Sequence, residues 1–152
     1  EIVRGKEVLE IGSGCGLTGI FAAKLGAQRV TLTDFLPKVL ANLADCMHLN
    51  AVSSDEPREY DSALDGEFDP EDECDSAFEA DNMRVRFLDW AEGTEYFENS
   101  EKESSILGEN RVRVEEEVLP PDIPEDETFP IIIGADVIYE PLHAKLVVNV
   151  LS

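Results

Sequence analysis

The sequence predicts an α/β fold with a doubly wound, mostly parallel sheet, and three features of the chain support this expectation. Residues 7–25 pass from a short apolar run through a glycine-rich turn into apolar residues at helical spacing. Predicted strands and helices then alternate, as they do when crossover helices connect parallel strands. Three successive isoleucines at 131–133 are typical of a fully buried central strand. We therefore expect one Rossmann-like domain over residues 1–152.

Two strand–helix units are predicted in the first half of the chain. The strands cover residues 7–11 and 29–33, and the helices cover residues 17–25 and 35–50. Gly26 is placed to end the first helix, because glycine accepts the left-handed conformation of a helix C-terminus. Pro37 fits the first turn of the second helix, where a missing N–H is harmless.

The second half is predicted to add two core strands. Its elements are expected over residues 83–88, 131–133 and 142–151, with one further short strand over 111–118. In the first of these, Val85 and Phe87 face one way, and Arg84 and Arg86 face the other. Four core strands are fewer than an open sheet of this type usually has, so we expect its C-terminal strands to be missing.

The net charge of -22 comes from two acidic inserts. Residues 53–81 hold 13 acids and one arginine, and residues 91–128 hold 13 acids and three basic residues. The remainder carries 8 acids and 8 bases, so the predicted core is neutral. Solvated loops usually have this composition, and it disfavours nucleic acid as a partner because binding phosphate requires clustered Lys and Arg. A basic protein substrate is the partner that these inserts could attract.

The cysteines favour a reducing compartment. Cys15, Cys46 and Cys74 form no CxxC pair, and only two histidines could add ligands, so we expect neither a metal site nor a disulfide framework. Reduced cysteines indicate the cytoplasm or the nucleus. No apolar run approaches the ~18 residues that span a bilayer, so no membrane association is expected. The oligomeric state is open.

Four carboxylates fall at or near the ends of predicted strands: Glu10, Asp34, Asp89 and Asp136. Ligands bind outside the carboxyl ends of the strands in such sheets, so these side chains are candidates for one site. The alternative for each is a turn or helix-cap residue. Four carboxylates in one layer beside the glycine-rich turn favour a ligand.

Two cofactors fit a strand–turn–helix unit of this kind. Residues 14–19 match the dinucleotide pattern G-x-G-x-x-G, and Asp34 lies at the expected distance for a ribose-binding acid. A dinucleotide would nevertheless place two phosphates among four carboxylates. S-adenosylmethionine has no phosphate and carries a sulfonium and an ammonium, so an acidic pocket attracts it.

Each acid then has a candidate role toward S-adenosylmethionine. Asp34 can accept both ribose hydroxyls, and Asp89 can accept from the adenine amine. Glu10 can act on the cationic amino-acid end, directly or by holding the loop. Trp90 can pack on the adenine ring or belong to the core. Gly16 completes the turn that lets a ligand approach the main chain.

These residues resemble a known family. The segments that carry the resemblance are residues 8–17, 30–34, 88–90 and 133–140. Residues 8–17 resemble motif I of the class I, seven-β-strand, S-adenosylmethionine-dependent methyltransferases. All four segments together resemble the protein lysine methyltransferases of that class. The resemblance implies a partial methyltransferase domain, interrupted by the acidic inserts at 53–81 and 91–128.

The resemblance also implies roles for individual residues. It implies cofactor contacts at Gly12, Ser13, Gly14, Asp34, Trp90 and Ala135. It implies that Asp136 and Tyr139 line the entrance for the substrate lysine. The family's segment before the first strand and its strands after the last helix have no counterpart here, so we expect that this chain alone could be inactive.

The expected function is methyl transfer to a protein side-chain nitrogen, most simply lysine. Asp136 would orient the amine and Tyr139 would shape the channel; the alternative for Asp136 is capping of the following helix. Arginine, histidine or a small molecule stay open as acceptors. A non-catalytic interaction module and a nicotinamide oxidoreductase are the remaining alternatives.

Overall fold

The computed structural model describes residues 2–51, 77–91, 118–124 and 126–151. Most of both acidic inserts, most of the strand expected over 111–118, and Cys74 lie outside these residues. The described elements are β1 (Glu7–Glu10), α1 (Leu17–Lys24), β2 (Arg29–Asp34), α2 (Pro37–Asn50), β3 (Glu79–Ala80), β4 (Met83–Phe87), β5 (Ile131–Ile133) and α3, which the chain forms at Pro141–Val150. In this part of the chain, no helix has the length and apolar character needed to cross a bilayer.

The strands form one sheet in the order β3-β4-β2-β1-β5. All pairs are parallel except β3 with β4, so the predicted α/β fold with a mostly parallel sheet is confirmed. β1 pairs with β2 on one side and with β5 on the other. The strand order therefore reverses at β1, and such a reversal opens a crevice outside the carboxyl ends of the strands.

Helices α1 and α2 cover one face of the sheet and form the core with it. The fully buried side chains there include Val8 and Leu32 from the strands and Leu43 and Met47 from α2. Burying each of these side chains contributes about 2 kcal/mol. This core fixes the positions of the loops that follow β1 and β2.

Local signals set the ends of these helices as predicted. Gly26 has φ of 89°, and its N–H donates to the Ala23 carbonyl at 3.0 Å, while the Ala27 N–H donates to the Ala22 carbonyl at 3.2 Å. This pair of bonds is a Schellman motif, which requires the left-handed residue. α2 begins at Pro37, two residues later than expected.

The first acidic insert ends earlier than the sequence indicates. Phe78 is only 6% exposed and belongs to the core cluster, and β3 follows it directly. Asp81, with φ of 54°, turns the chain back into β4. A two-residue strand shows no periodicity, which is why this part of 53–81 was predicted to be loop.

The prediction of a fully buried central strand at 131–133 is wrong. β5 lies at the end of the strand order, and Ile132 is 39% exposed. None of the described residues pairs with its outer side. An apolar run reflects what a strand can pack against, whereas its burial depends on the neighbours that the fold supplies.

The two arginines of β4 are buried, although an alternating strand usually exposes its polar face. Arg84 donates from Nε to Thr31 Oγ1 at 2.9 Å and forms an ion pair with Glu127. Arg86 forms an ion pair with Glu79. Each buried guanidinium therefore has a carboxylate partner, which burial of a charge requires.

Candidate functional site

The glycine-rich loop after β1 is held against β2 by its backbone. The Ser13 N–H donates to the Thr33 carbonyl at 2.7 Å, and the Gly16 N–H donates to the Ser13 carbonyl at 2.7 Å. The φ angles of Gly12, Gly14 and Gly16 are 61°, 57° and 76°. This is the left-handed region, which favours glycine. The alternate glycines are therefore required by the shape of the loop.

The Ser13 side chain strengthens the same junction. Ser13 Oγ accepts from the Thr33 N–H at 2.9 Å and donates to the Glu10 carbonyl at 3.3 Å. Thr33 Oγ1 donates to that carbonyl at 2.7 Å. These bonds tie the ends of β1 and β2 together, so the hydroxyl of Ser13 fixes the loop. Its contact with a cofactor stays a prediction.

The Asp34 carboxylate connects the loop to the start of α2. Oδ2 accepts from the Gly14 N–H at 3.2 Å, and Oδ1 accepts from the N–H groups of Phe35 at 2.8 Å and Leu36 at 3.2 Å. Apart from Gly14 and its two chain neighbours, none of the described residues has a heavy atom within 4 Å of where a Cβ on Gly14 would stand. Asp34 therefore adjoins open space on the main chain of the loop.

Glu10 lies underneath the loop. It is 2% exposed, and its Oε2 has no hydrogen-bond partner among the described residues. A Cβ on Gly19 would stand 2.6 Å from that oxygen, so the carboxyl group packs under the first turns of α1. Burial raises the pKa of Glu10, while interactions with Ser13, Gly19 and Thr18 lower it by less. This placement favours the loop-holding role over direct contact with a ligand.

Three loops meet at Gly12. A Cβ on Gly12 would stand 3.0 Å from Trp90 Cζ2 and 3.1 Å from Val137 Cγ1. Trp90 comes from the loop after β4, and Val137 comes from the loop after β5. Val137 also packs on Gly134, where an added Cβ would stand 3.2 Å from Val137 Cγ2. The ends of β1, β4 and β5 therefore form one continuous wall.

The remaining predicted acids occupy the loops of this wall. Asp89 Oδ1 accepts from the Ala91 N–H at 2.9 Å, so its carboxylate stabilises a local turn. Ala135 and Asp136 are exposed, and Asp136 has φ of 57°. The N-cap of α3 is Glu140. The alternative that Asp136 caps this helix is therefore wrong, because Asp136 lies four residues too early.

An aromatic cluster follows β5 and includes a residue that the sequence did not indicate as part of the site. The His143 ring lies edge-on to Tyr139, with ring centroids 5.9 Å apart, and edge-on to Trp90 at 6.5 Å. His143 Nδ1 accepts from the Tyr139 N–H at 3.2 Å. The sequence indicates His143 only as one of the two histidines, although its place in the first turn of a helix that starts beside Tyr139 is a usable signal.

Comparison with known proteins shows which proteins the chain is similar to. A sequence model of the family described as lysine methyltransferase matches residues 1–62. The chain is 31% identical over 147 residues to an uncharacterized protein of Dictyostelium discoideum. It is 51% identical over 37 residues to the electron transfer flavoprotein beta subunit lysine methyltransferase of Homo sapiens. The chain is therefore similar to lysine methyltransferases, most clearly over residues 1–62.

The similarity covers limited parts of these relatives. The methyltransferase-like chain matches the Dictyostelium discoideum protein over 96% of its own length and 33% of the relative. The human match covers 24% of the chain and 14% of the relative. EEF1A lysine methyltransferase 3 of Mus musculus is 49% identical over 47 residues, which are 31% of the chain and 19% of the relative. The chain thus spans a third or less of each.

The methyltransferase-like chain brings most of the predicted site residues to one edge of the sheet. The residues at or next to the shared wall are Gly12, Gly14, Asp34, Asp89, Trp90, Ala135, Asp136 and Tyr139. Glu10 and Ser13 support the loop from below, and Gly16 opens α1 as its N-cap. The structure adds Val137 and His143 to the residues that the sequence predicted for the site. The resemblance to lysine methyltransferases is therefore confirmed, together with the mostly parallel α/β fold.

Proposed function

We propose that this chain supplies the cofactor-binding part of a methyltransferase that uses S-adenosylmethionine and modifies a lysine of a protein. The observation that carries the proposal is the charge of the site. The segments 10–17, 33–36, 87–91 and 134–140, which form or flank the wall, contain four acids besides the buried Glu10 and no Lys or Arg. Such a rim attracts a cationic, phosphate-free ligand and repels a dinucleotide pyrophosphate.

The described residues fit this cofactor. Space is open beside the main chain at Gly14, and the Asp34 carboxylate adjoins that space. Asp34 would accept hydrogen bonds from ribose hydroxyls, and Trp90 would border the adenine. Ala135, Asp89 and the backbone of residues 12–14 would complete the contact surface. Gly16 would contribute by starting α1 without a side chain at the turn.

The chemistry divides between the bound group and the protein. When bound, S-adenosylmethionine supplies a methyl group on a positively charged sulfur, which a neutral amine can accept. The protein positions the amine and excludes water from it. Asp136, which is exposed in the loop after β5, would accept a hydrogen bond from the lysine amine and orient it. Tyr139 would border the lysine's path.

Several further properties belong to the same proposal. The acceptor is proposed to be lysine because two of the similar proteins are named as lysine methyltransferases. The compartment is proposed to be the cytoplasm or the nucleus, since the two described cysteines, Cys15 and Cys46, are free thiols. The domain is proposed to be a partial methyltransferase domain with acidic inserts, supported by the limited span of its matches.

Binding of S-adenosylmethionine to variants at Asp34 tests the proposal. In calorimetry on the full chain, we expect the wild type to bind and Asp34→Ala to lose at least about tenfold in affinity, because hydrogen bonds to a charged group contribute about 2 kcal/mol. Asp34→Asn separates charge from helix capping, since an amide oxygen can still accept from Phe35 and Leu36. Asp45→Asn makes the same change on the exposed face of α2 and should bind like the wild type.

Two results would remove the proposal. A folded wild type that releases no heat with S-adenosylmethionine would remove it, and so would tighter binding of NAD. The acceptor is tested separately by transfer of a labelled methyl group into a cell lysate, followed by mass spectrometry. Label on arginine, on histidine or in the small-molecule fraction would replace lysine as the acceptor.

A further inference from the structure

The geometry points to His143 as a positioning residue that lies between Tyr139 and Trp90 and, by fixing Tyr139, sets the opening through which the acceptor reaches the methyl group. This inference rests on the proposed function and extends it to a residue outside the predicted site. His143 would touch neither the cofactor nor the reacting atoms. Its effect would pass through the two aromatic side chains that it separates.

Within the described residues, His143 makes both a hydrogen bond and a ring contact with Tyr139. Tyr139 is 71% exposed, so packing alone does not fix it. The His143 Nδ1 accepts its backbone N–H, and the imidazole ring lies edge-on to the phenol ring. This contact requires the lone pair of Nδ1, so it uses the ring nitrogen that faces the Tyr139 backbone. One side chain therefore fixes both the backbone and the ring of Tyr139.

The other side of the His143 ring reaches the cofactor loop through Trp90. The two rings are nearly perpendicular, at 86°, which is a favourable edge-to-face arrangement. Trp90 in turn lies against Gly12, where the three loops meet. Its backbone carbonyl accepts from Asn149 Nδ2 at 3.1 Å, so α3 holds Trp90 at two places. The acceptor side and the cofactor side of the wall are thus connected through one imidazole.

A simpler role would be capping. His143 lies in the first turn of α3, and a side chain there often accepts a backbone N–H that precedes the helix. That role alone would change the stability of α3 and leave methyl transfer intact once the protein is folded. The ring contacts with Trp90 and Tyr139 are the part that capping does not require.

Three substitutions separate these roles. His143→Asn keeps an acceptor near the position of Nδ1 and loses the ring. His143→Phe keeps a ring and loses the acceptor, and His143→Ala loses both. The chain's other histidine, His48 on α2, contacts the Ala77 carbonyl at 2.8 Å. Neither residue belongs to the loops after β1, β4 and β5, so His48→Asn is the matched control.

The experiment measures binding and transfer separately on the full chain. Binding of S-adenosylmethionine is followed by calorimetry and by the fluorescence of Trp90, the only tryptophan of the 152 residues. Transfer of labelled methyl into heat-treated lysate protein is measured at saturating S-adenosylmethionine. We expect every variant to bind within about threefold of the wild type. We expect transfer to fall about tenfold in His143→Ala and less in His143→Phe, with His143→Asn recovering thermal stability but not transfer.

The outcomes distinguish this inference from the proposed function. If the wild type does not bind S-adenosylmethionine, the proposed function fails and takes this inference with it, whereas a wild type that binds it and transfers no methyl group overturns this inference alone. If the wild type binds and transfers, and His143→Asn transfers at the wild-type rate, His143 only caps α3 and the inference is overturned. Equal losses of binding and transfer in His143→Ala would place the residue in the cofactor site instead, which also overturns it.

Discussion

β2 and β5 are both parallel neighbours of β1, but they occupy different environments. Val30 and Leu32 of β2 are completely buried beneath α1 and α2, whereas Ile132 of β5 is 39% exposed and α3 has no buried residue. The chain therefore combines a packed half that holds the cofactor loop with an open half that carries the proposed acceptor residues. Apolar composition therefore does not by itself set burial, because β5 consists of three isoleucines and is nevertheless more exposed than β2.

The largest expected effect comes from truncating one apolar residue on each of the two neighbours of β1, Leu32 on β2 and Ile132 on β5. Leu32→Ala should lower the free energy of unfolding by about 3 kcal/mol, since a fully buried leucine leaves a cavity. Ile132→Ala should cost less than about 1.5 kcal/mol, because much of that side chain already meets solvent. Urea unfolding followed by circular dichroism measures both. Equal costs would mean that β5 is covered in solution, and the comparison would break.

The second effect concerns two glycines within the packed half. Gly12→Ala should cost about 3 kcal/mol of stability, because it adds left-handed strain and a Cβ that crowds Trp90 and Val137. Gly14→Ala has the same kind of φ but open space around it, so strain alone, about 1 kcal/mol, is expected.

The two variants should rank in opposite order for cofactor affinity and for stability. Gly14→Ala, the less destabilised of the two, should lose more affinity for the cofactor. A Cβ on Gly14 would project into the space proposed for S-adenosylmethionine, so Gly14→Ala should weaken binding strongly while the protein stays folded. Thermal unfolding with and without S-adenosylmethionine measures both properties. A Gly14→Ala variant that is stabilised by S-adenosylmethionine as much as the wild type would contradict the proposed position of the cofactor.

The smallest effect is the pH dependence that Glu10 introduces. Because burial raises its pKa above the usual 4.5, the folded chain binds this proton more readily than the unfolded chain. Its contribution to stability is therefore complete below the usual pKa and is lost as pH rises through the raised pKa. Glu10→Gln should raise the unfolding temperature relative to the wild type at neutral and higher pH, and the difference should vanish in acid.

Differential scanning calorimetry over a pH series checks this prediction. Glu7→Gln, at the other end of β1, controls for the change in net charge. Destabilisation by Glu10→Gln at neutral pH would contradict the prediction, because it would show that the ionised carboxylate is needed under α1.

The packed half could be predicted because its signals are local. Gly26 ends α1 and Pro37 starts α2 through their own backbone preferences, and Asp34 lies at the end of β2 as expected. The resemblance of the motif segments also placed Trp90 and Tyr139 near the site. These features depend on short stretches of sequence, which carry the same physical meaning in any surroundings.

The open half and the inner wall of the site could not be predicted in the same way. Val137 and His143 matter because two loops that are distant in sequence meet at Gly12 and Trp90. β3 is too short for a period, and it was recognisable only from the turn at Asp81 and the burial of Phe78. The edge position of β5 follows from strand order, which depends on the whole sheet.

The edge of β4 determines where residues inserted into the acidic stretches would meet the sheet. Val85 donates its N–H to the Phe78 carbonyl at 2.8 Å, and Phe87 donates to the Pro121 carbonyl at 3.0 Å. Phe78 and Pro121, one from each acidic stretch, therefore bond to the same strand, on the side of the sheet away from β5. A peptide tag grafted into either stretch would accordingly join the sheet beside β4 and not beside β5.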